Sequence, residues 1–171
     1  RYEEFTIEGR NAVIEAYRAG RPIDKLFILD GCQDGPILTI KREAKAKQTP
    51  VKFVTKERLD QLSETGKHQG VIAYAAAYEY ATVEEILDNV RQKGEAPFLF
   101  LLDNIEDPHN LGAIIRTANL AGAHGVIVPK NRAAGLTAVV AKTSAGALNF
   151  TPVARVTNLA KTIEELKKEG I

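Results

Sequence analysis

The second half of the chain alternates short apolar segments with helical patterns. Helical spacing of apolar residues predicts helices at 111–121, near 136–146 and at 158–169. Apolar strands separated by helices are typical of a parallel sheet that is covered on both faces. The fold class is therefore α/β, and a ligand is expected where strands end, at their carboxyl ends. The strands are PFLFLLD (97–103), GVIVP (125–129) and PVARV (152–156).

The first half also alternates helix and strand patterns, which predicts a small α/β unit of about 80 residues. A polar helix at 82–94 follows it. We therefore expect a first domain at 1–80, a linker and helix at 81–96, and a second domain at 97–171. The predicted elements of the first domain are helix 9–20, strand 25–30, helix 36–48, strand 51–55, helix 56–64 and strand 70–78.

Composition narrows the class of protein. The 171 residues are 44% hydrophobic and carry a net charge of +1, as in an ordinary globular protein. No apolar run is long enough to span a membrane, and no basic-then-apolar leader is present, so we expect a cytoplasmic protein. The single cysteine, Cys32, and three scattered histidines predict neither an internal disulfide nor a metal site. The absence of methionine indicates an incomplete chain.

A basic segment lies between residues 41 and 58, with seven basic residues against two acidic ones. Such an excess attracts phosphate groups if the side chains lie on one face. A solvated helix surface is the alternative and the commoner origin of such a run. The candidate RNA-binding residues in this segment are Lys41, Arg42, Lys45 and Lys52.

The segment DNIEDPHN leaves the first strand of the second domain and leads into a helix. We expect Asn110 to be the N-cap of that helix. Gly112, Arg116 and Asn119 then lie opposite the core, and Arg116 stands over a glycine that lets a ligand or another backbone approach. Asn110 and Arg116 could bind a phosphate and a neighbouring oxygen nucleophile. A simple helix cap explains Asn110 equally well, and an ordinary surface position is the commoner role of an arginine such as Arg116. The residues expected to face the core are Leu111, Ile114, Ile115, Ala118 and Ala121.

Three stretches together resemble one enzyme family. The string LLDNIEDPHNLGAIIRTANLAGAHGVIV resembles the first signature motif of the SpoU-type (TrmH-like) RNA ribose 2′-O-methyltransferases of the SPOUT superfamily. KTSAGALNFTPVARVTN is similar to the segment that follows in these enzymes. GRNAVIEAYRAG and GKHQGVIAY resemble landmarks of the small RNA-recognition domain that precedes the catalytic domain in bacterial rRNA members.

This resemblance implies S-adenosylmethionine as methyl donor and a ribose 2′-hydroxyl in structured RNA, most of all 23S rRNA, as acceptor. It also implies a homodimer formed through the catalytic domain, with active sites near the subunit interface. By their positions in the motif, Asn110 and Arg116 match the catalytic asparagine and arginine, and Arg116 is also expected to contact RNA. Thr157 and Asn158 are the residues expected to touch the cofactor.

The second and third motifs of the family, which form a trefoil knot and most of the cofactor pocket, do not occur in these 171 residues. The chain is therefore expected to carry a truncated knot region and to be incomplete for catalysis.

Other functions remain open at this point. A tRNA ribose methyltransferase or a non-catalytic RNA-binding protein would share these features, and a resistance methyltransferase acting on rRNA would look much the same. A nucleotide-dependent α/β enzyme such as a dehydrogenase is disfavoured, because the chain has neither a G-x-G-x-x-G segment after a strand nor a G-x-x-x-x-G-K-[ST] segment.

Overall fold

The computed structural model describes residues 6–171 and divides them into two compact units, 6–79 and 80–171. Residues 1–5, at the start of the expected first domain, lie outside the described residues. The elements of the first unit are β1 (Thr6–Glu8), α1 (Arg10–Arg18), β2 (Ile23–Leu29), α2 (Gly35–Ala46), β3 (Val51–Val54), α3 (Lys56–Leu62) and β4 (Val71–Ala75).

The first unit is built on a four-stranded sheet with the order β1-β4-β2-β3. Strands β2 and β3 are parallel, and the other two pairs are antiparallel. Helices α1 and α2 bury their apolar faces against this sheet. The buried cluster between them includes Val13, Tyr17, Leu26, Ile28, Ile37, Ile40 and Val71.

Strand β1 is tied to the loop after α3 through the carboxylate of Glu8. This carboxylate accepts hydrogen bonds from the hydroxyl groups of Ser63 and Thr65, both at 2.6 Å, and from the backbone N–H of Glu64. Partial burial raises the pKa of Glu8, but the hydrogen bonds outweigh it and hold the pKa below its usual value. The short edge strand therefore gains an attachment that its three residues could not supply alone.

The second unit contains a three-stranded parallel sheet with the order β5-β6-β7. This confirms the predicted α/β fold and the predicted parallel sheet. Its elements are α4 (Val83–Lys93), β5 (Leu99–Leu101), α5 (Pro108–Leu120), β6 (Gly125–Pro129), α6 (Ala138–Thr143), a 3-10 turn (Ala147–Asn149), β7 (Val153–Val156) and α7 (Leu159–Lys168).

Helices cover both faces of the parallel sheet. Helices α4 and α7 bury Ile86 and Leu166 against Ile127 and Ala154 of the strands. Because side chains alternate along a strand, Val126 points to the opposite face, where α5 lies. Helix α4, in the segment predicted as a linker, therefore belongs to this core. None of the helices described over residues 6–171 is long and apolar enough to cross a membrane.

Gly112 lies at a close contact between α5 and α6, which corrects its predicted position away from the core. It is buried, and a Cβ added there would lie 2.7 Å from Thr143 Cβ and would overlap Thr143 Oγ1. Helix α5 is thus buried on two sides, by the sheet and by α6. Ala121, expected in the core, is exposed at the end of the helix, whereas Leu111, Ile115 and Ala118 are buried as predicted.

We predict that Gly112→Ala lowers the free energy of unfolding of the second unit by about 1–3 kcal/mol, because the added methyl group forces α5 and α6 apart. The matched control is Gly35→Ala at the first position of α2, where an added Cβ meets nothing within 4 Å. Chemical denaturation followed by circular dichroism measures both variants. If Gly112→Ala and Gly35→Ala changed the free energy of unfolding by the same amount, α5 and α6 would separate without an energetic cost.

Candidate functional site

Helix α5 begins at Pro108, three residues earlier than the sequence predicted. Its N-cap is Asp107, whose Oδ1 accepts hydrogen bonds from the N–H groups of His109, at 2.7 Å, and Asn110, at 3.3 Å. The expectation that Asn110 is the N-cap is therefore wrong. Aspartate followed by proline makes the stronger start, because the carboxylate binds two N–H groups and proline at the first position needs no acceptor.

Asn110 consequently lies inside the first turn of α5, and its side chain is exposed. Among the residues described, 6–171, no hydrogen bond to this side-chain amide is found. The amide is therefore available at the edge of the sheet where β5 ends, rather than occupied as a cap.

Arg116 is exposed on α5, as predicted, and forms no ion pair or hydrogen bond with any residue between 6 and 171. It follows Asn110 by six positions, which on an α-helix is about 9 Å along the axis and about 120° around it. The two side chains therefore leave α5 in different directions, and the expectation that both reach one group stays a prediction.

The loops after β5 and β6 are joined at the carboxyl edge of the sheet. Ile105 pairs with Ala133, and the N–H of Ala134 donates to the carbonyl of Ile105 at 2.7 Å. Asn104 and Arg132, on these two loops, are exposed and adopt positive φ angles of 54° and 55°. Sequence reasoning missed both residues, because no pattern distinguishes an arginine in a left-handed conformation from any other loop arginine.

Thr157 and Asn158 form the turn after β7, at the same edge of the sheet. Asn158 is the N-cap of α7, and its Oδ1 accepts a hydrogen bond from the N–H of Lys161 at 2.9 Å. Both residues are exposed. The two candidate cofactor residues thus share an edge with Asn104, Asn110 and Arg132.

Tyr80 fixes the loop that follows β6. Its hydroxyl accepts a hydrogen bond from the N–H of Leu136 at 3.1 Å, and its ring lies 3.9 Å from the guanidinium carbon of Arg155 on β7. The loop carrying Arg132 is therefore held to the sheet at its far end as well.

The basic segment of the first unit is divided between two faces of the sheet. Arg42 and Lys45 are exposed on α2, whereas Lys41 is half-buried, donates to the carbonyl of Cys32 at 3.0 Å and lies over the ring of Phe53. Val51 packs into the core beneath α2, so the next residue of the strand, Lys52, points to the opposite face. Only Arg42 and Lys45 remain as exposed candidates on one helix.

Comparison with known proteins identifies the family. Residues 6–81 match the family described as RNA 2′-O ribose methyltransferase substrate binding, and residues 97–171 match the SpoU rRNA methylase family. The chain is 47% identical over 168 residues to a Staphylococcus aureus protein assigned to the TrmH family of tRNA/rRNA methyltransferases, covering 98% of this chain and 67% of that protein. The chain belongs to the SpoU/TrmH family.

Further SpoU/TrmH relatives include the YacO protein of Bacillus subtilis, which is 48% identical over 163 residues. That match covers 95% of this chain and 65% of YacO, so the chain spans about two thirds of such relatives.

Similar solved structures include the SpoU methyltransferase AviRb from Streptomyces viridochromogenes in complex with AdoMet. The identity is 21%, the match covers 97% of this chain and 60% of AviRb, and the TM-score is 0.43. The AdoMet-bound rRNA methyltransferase from Sinorhizobium meliloti is 26% identical, with 89% and 54% coverage and a TM-score of 0.39. The family assignment rests on the sequence matches.

In this SpoU/TrmH chain we predict that Asp107→Ala frays the first turn of α5 and destabilises it by about 1 kcal/mol, because two N–H groups lose their acceptor. Asp107→Asn, which retains an acceptor oxygen, is the matched control. Hydrogen exchange of the His109 and Asn110 amides should accelerate in the alanine variant only. Unchanged exchange in that variant would contradict the assignment of Asp107 as the cap.

Proposed function

We propose that the complete protein transfers a methyl group from S-adenosylmethionine to a ribose 2′-hydroxyl in structured RNA, with 23S rRNA as the first candidate. The observation that carries this proposal is the order of the two family matches, a substrate-binding segment at 6–81 followed by a methylase segment at 97–171. A separate binding unit suits an RNA that is recognised by shape and backbone. A tRNA is the alternative substrate, and a cytoplasmic location is part of this proposal.

Arg116 is proposed to hold the phosphate beside the target ribose. Its guanidinium is exposed and has no partner among residues 6–171, so it can bind an incoming phosphate through two parallel hydrogen bonds. A guanidinium keeps its proton in proteins, so it cannot be the general base. Its fixed positive charge instead stabilises the negative charge that develops on the ribose oxygen during attack.

Asn110 is proposed to orient the ribose at the carboxyl edge of the parallel sheet. Its exposed amide can donate to and accept from ribose hydroxyl groups. Asn110 and Arg116 leave α5 about 120° apart, and we propose that a group from a second copy completes the site. This separation supports the proposal of a homodimer formed through the second unit.

Thr157 and Asn158 are proposed to form one wall of the cofactor site. An exposed hydroxyl and an amide at the carboxyl end of a parallel strand suit the polar groups of S-adenosylmethionine. When bound, this cofactor supplies an electrophilic methyl group. The residues of this chain would hold the ribose and the phosphate so that the 2′-oxygen faces that methyl group.

We predict that Arg116→Ala in the full-length protein lowers methyl transfer by about 100-fold or more, because a charge that stabilises the transition state is removed. Arg116→Lys should restore little methyl transfer, since an ammonium group lacks the planar, paired N–H donors of a guanidinium. The control is Arg91→Ala on α4, an arginine that pairs with Glu84 and Asp88. Transfer of tritiated methyl groups to rRNA and tRNA transcripts measures all three. Wild-type activity of Arg116→Ala would show that Arg116 is not part of the site.

We predict that reversing the charges of Arg42 and Lys45 to glutamate weakens RNA binding and lowers the slope of log affinity against log salt by about 2. Both side chains are exposed on α2. The matched control reverses Lys161 and Lys168 on α7, which changes the net charge equally. Fluorescence anisotropy over a salt series measures the slope. Equal slopes for the two double variants would show that Arg42 and Lys45 are ordinary solvated surface residues that do not bind RNA.

A further inference from the structure

The first unit contains an open groove of about 450 Å³ at the carboxyl end of β2, beside the start of α1. It is distinct from the exposed face of α2 that carries Arg42 and Lys45. Two separate sequence segments, 9–11 and 67–70, meet there, although they lie far apart in the chain. The residues that line the groove are Arg10, Asn11, Leu29, Pro36, Gln69 and Gly70.

Arg10 is held rigidly in the wall of this groove. Its Nε donates to the carbonyl of Gln69 at 3.0 Å, and its Nη2 lies 2.8 Å from Oδ2 of Asp34. Burial raises the pKa of Asp34. Two hydrogen bonds, from the Ile37 N–H and the Cys32 thiol, and the positive charge of Arg10 together lower this pKa below its usual value. The carboxylate therefore stays charged and fixes the guanidinium, whose Nη1 has no partner among residues 6–171.

Gln69 and Gly70 shape the part of the lining that lies next to Arg10. Both have positive φ angles, of 50° and 82°, and the Gln69 Oε1 accepts the N–H of Arg10 at 3.2 Å. This hydrogen bond orients the side-chain amide, so its NH₂ group is fixed in direction. At Gly70 the backbone lies beside Leu29, since a Cβ there would be 3.5 Å from Leu29 Cβ. Sequence patterns do not show that Gln69 adopts a left-handed conformation.

The lining combines three kinds of group that recognise a nucleobase. Asn11 and Gln69 carry amides that both donate and accept, as the edge of a base requires. The Asn11 side chain is exposed and makes no hydrogen bond to the described residues. Leu29 and Pro36 provide apolar contact for the face of a base, and Arg10 provides a planar cation that can stack on it or bind a phosphate.

We propose that this groove holds one unpaired nucleotide of the RNA substrate, with its base between the apolar wall and the two amides. The inference rests on the proposed function, which supplies the RNA, and it adds where and in what form that RNA is recognised. The groove is open, so a free nucleotide would be poorly enclosed there, whereas an RNA strand is held by further contacts. Pro36 is the second residue of α2, and Arg42 lies about 9 Å further along that helix, within reach of the same strand.

Binding of two RNA probes to the 171-residue chain tests the proposal. The probes are a fluorescein-labelled single-stranded RNA octamer of mixed sequence and the blunt duplex of the same sequence. Asn11→Ala should weaken binding of the single strand by about 3- to 10-fold, the value of one or two lost hydrogen bonds, and leave the duplex unchanged. The control is Gln61→Ala, an exposed amide on α3 outside the groove, and circular dichroism verifies that both variants are folded.

A second measurement does not depend on a variant. Octamers containing 4-thiouridine are cross-linked to the wild-type chain, and the modified peptides are mapped by mass spectrometry. Cross-links at residues 9–12 or 67–70 support the proposal, and cross-links confined to other segments overturn it. Competition by a mononucleotide at the concentration at which the octamer binds would also overturn it, because the groove would then be a free-nucleotide site.

The failure of this inference differs from the failure of the proposed function. If Asn11→Ala binds the single strand with wild-type affinity, while reversing the charges of Arg42 and Lys45 abolishes binding, the groove proposal is wrong and the proposed function is unaffected. Absence of any RNA binding by the 171-residue chain overturns it too. In both cases the proposed function is tested separately, by measuring methyl transfer by the full-length protein.

Discussion

Helix α5 rests against α6 at Gly112, where the absence of a side chain brings Thr143 and Ser144 into direct contact with the helix. With Leu111, Ile115 and Ala118 buried on the other side, this contact fixes the rotation of α5 about its axis. Arg116 is left on the exposed surface as a consequence. The chemistry proposed for the second unit therefore depends on a packing constraint one turn away from the arginine.

The parallel sheet sets the second constraint. All three strands end at one edge, so the loops that follow them gather there whatever their sequences. The cap at Asp107, the Ile105–Ala133 pairing and the Tyr80 hydroxyl each hold one of these loops or the helix that follows. Asn110, Thr157 and Asn158 are thus presented from a rigid support, while Arg116 stands further down the helix.

The first unit separates its polar groups more than its sequence suggested. The segment 41–58 reads as one basic surface, but strand alternation sends Lys52 to the opposite face from α2, and Lys41 is engaged with Cys32 and Phe53. The groove at Arg10 shows the reverse effect. Residues from segments 9–11 and 67–70 become neighbours because β1, which precedes 9–11, pairs antiparallel with β4, which follows 67–70.

By itself, the sequence determined the order of helices and strands, the parallel sheet and the motif that carries Asn110 and Arg116, because apolar periodicity is a local property. Strand β1 was missed because three residues hold too little pattern, and the start of α5 was misplaced because Asp107 outcompetes Asn110 as a cap. Only the tertiary structure decided that Gly112 is buried and that a groove forms at Arg10. Each of these depends on contacts between segments distant in sequence, which no local pattern encodes.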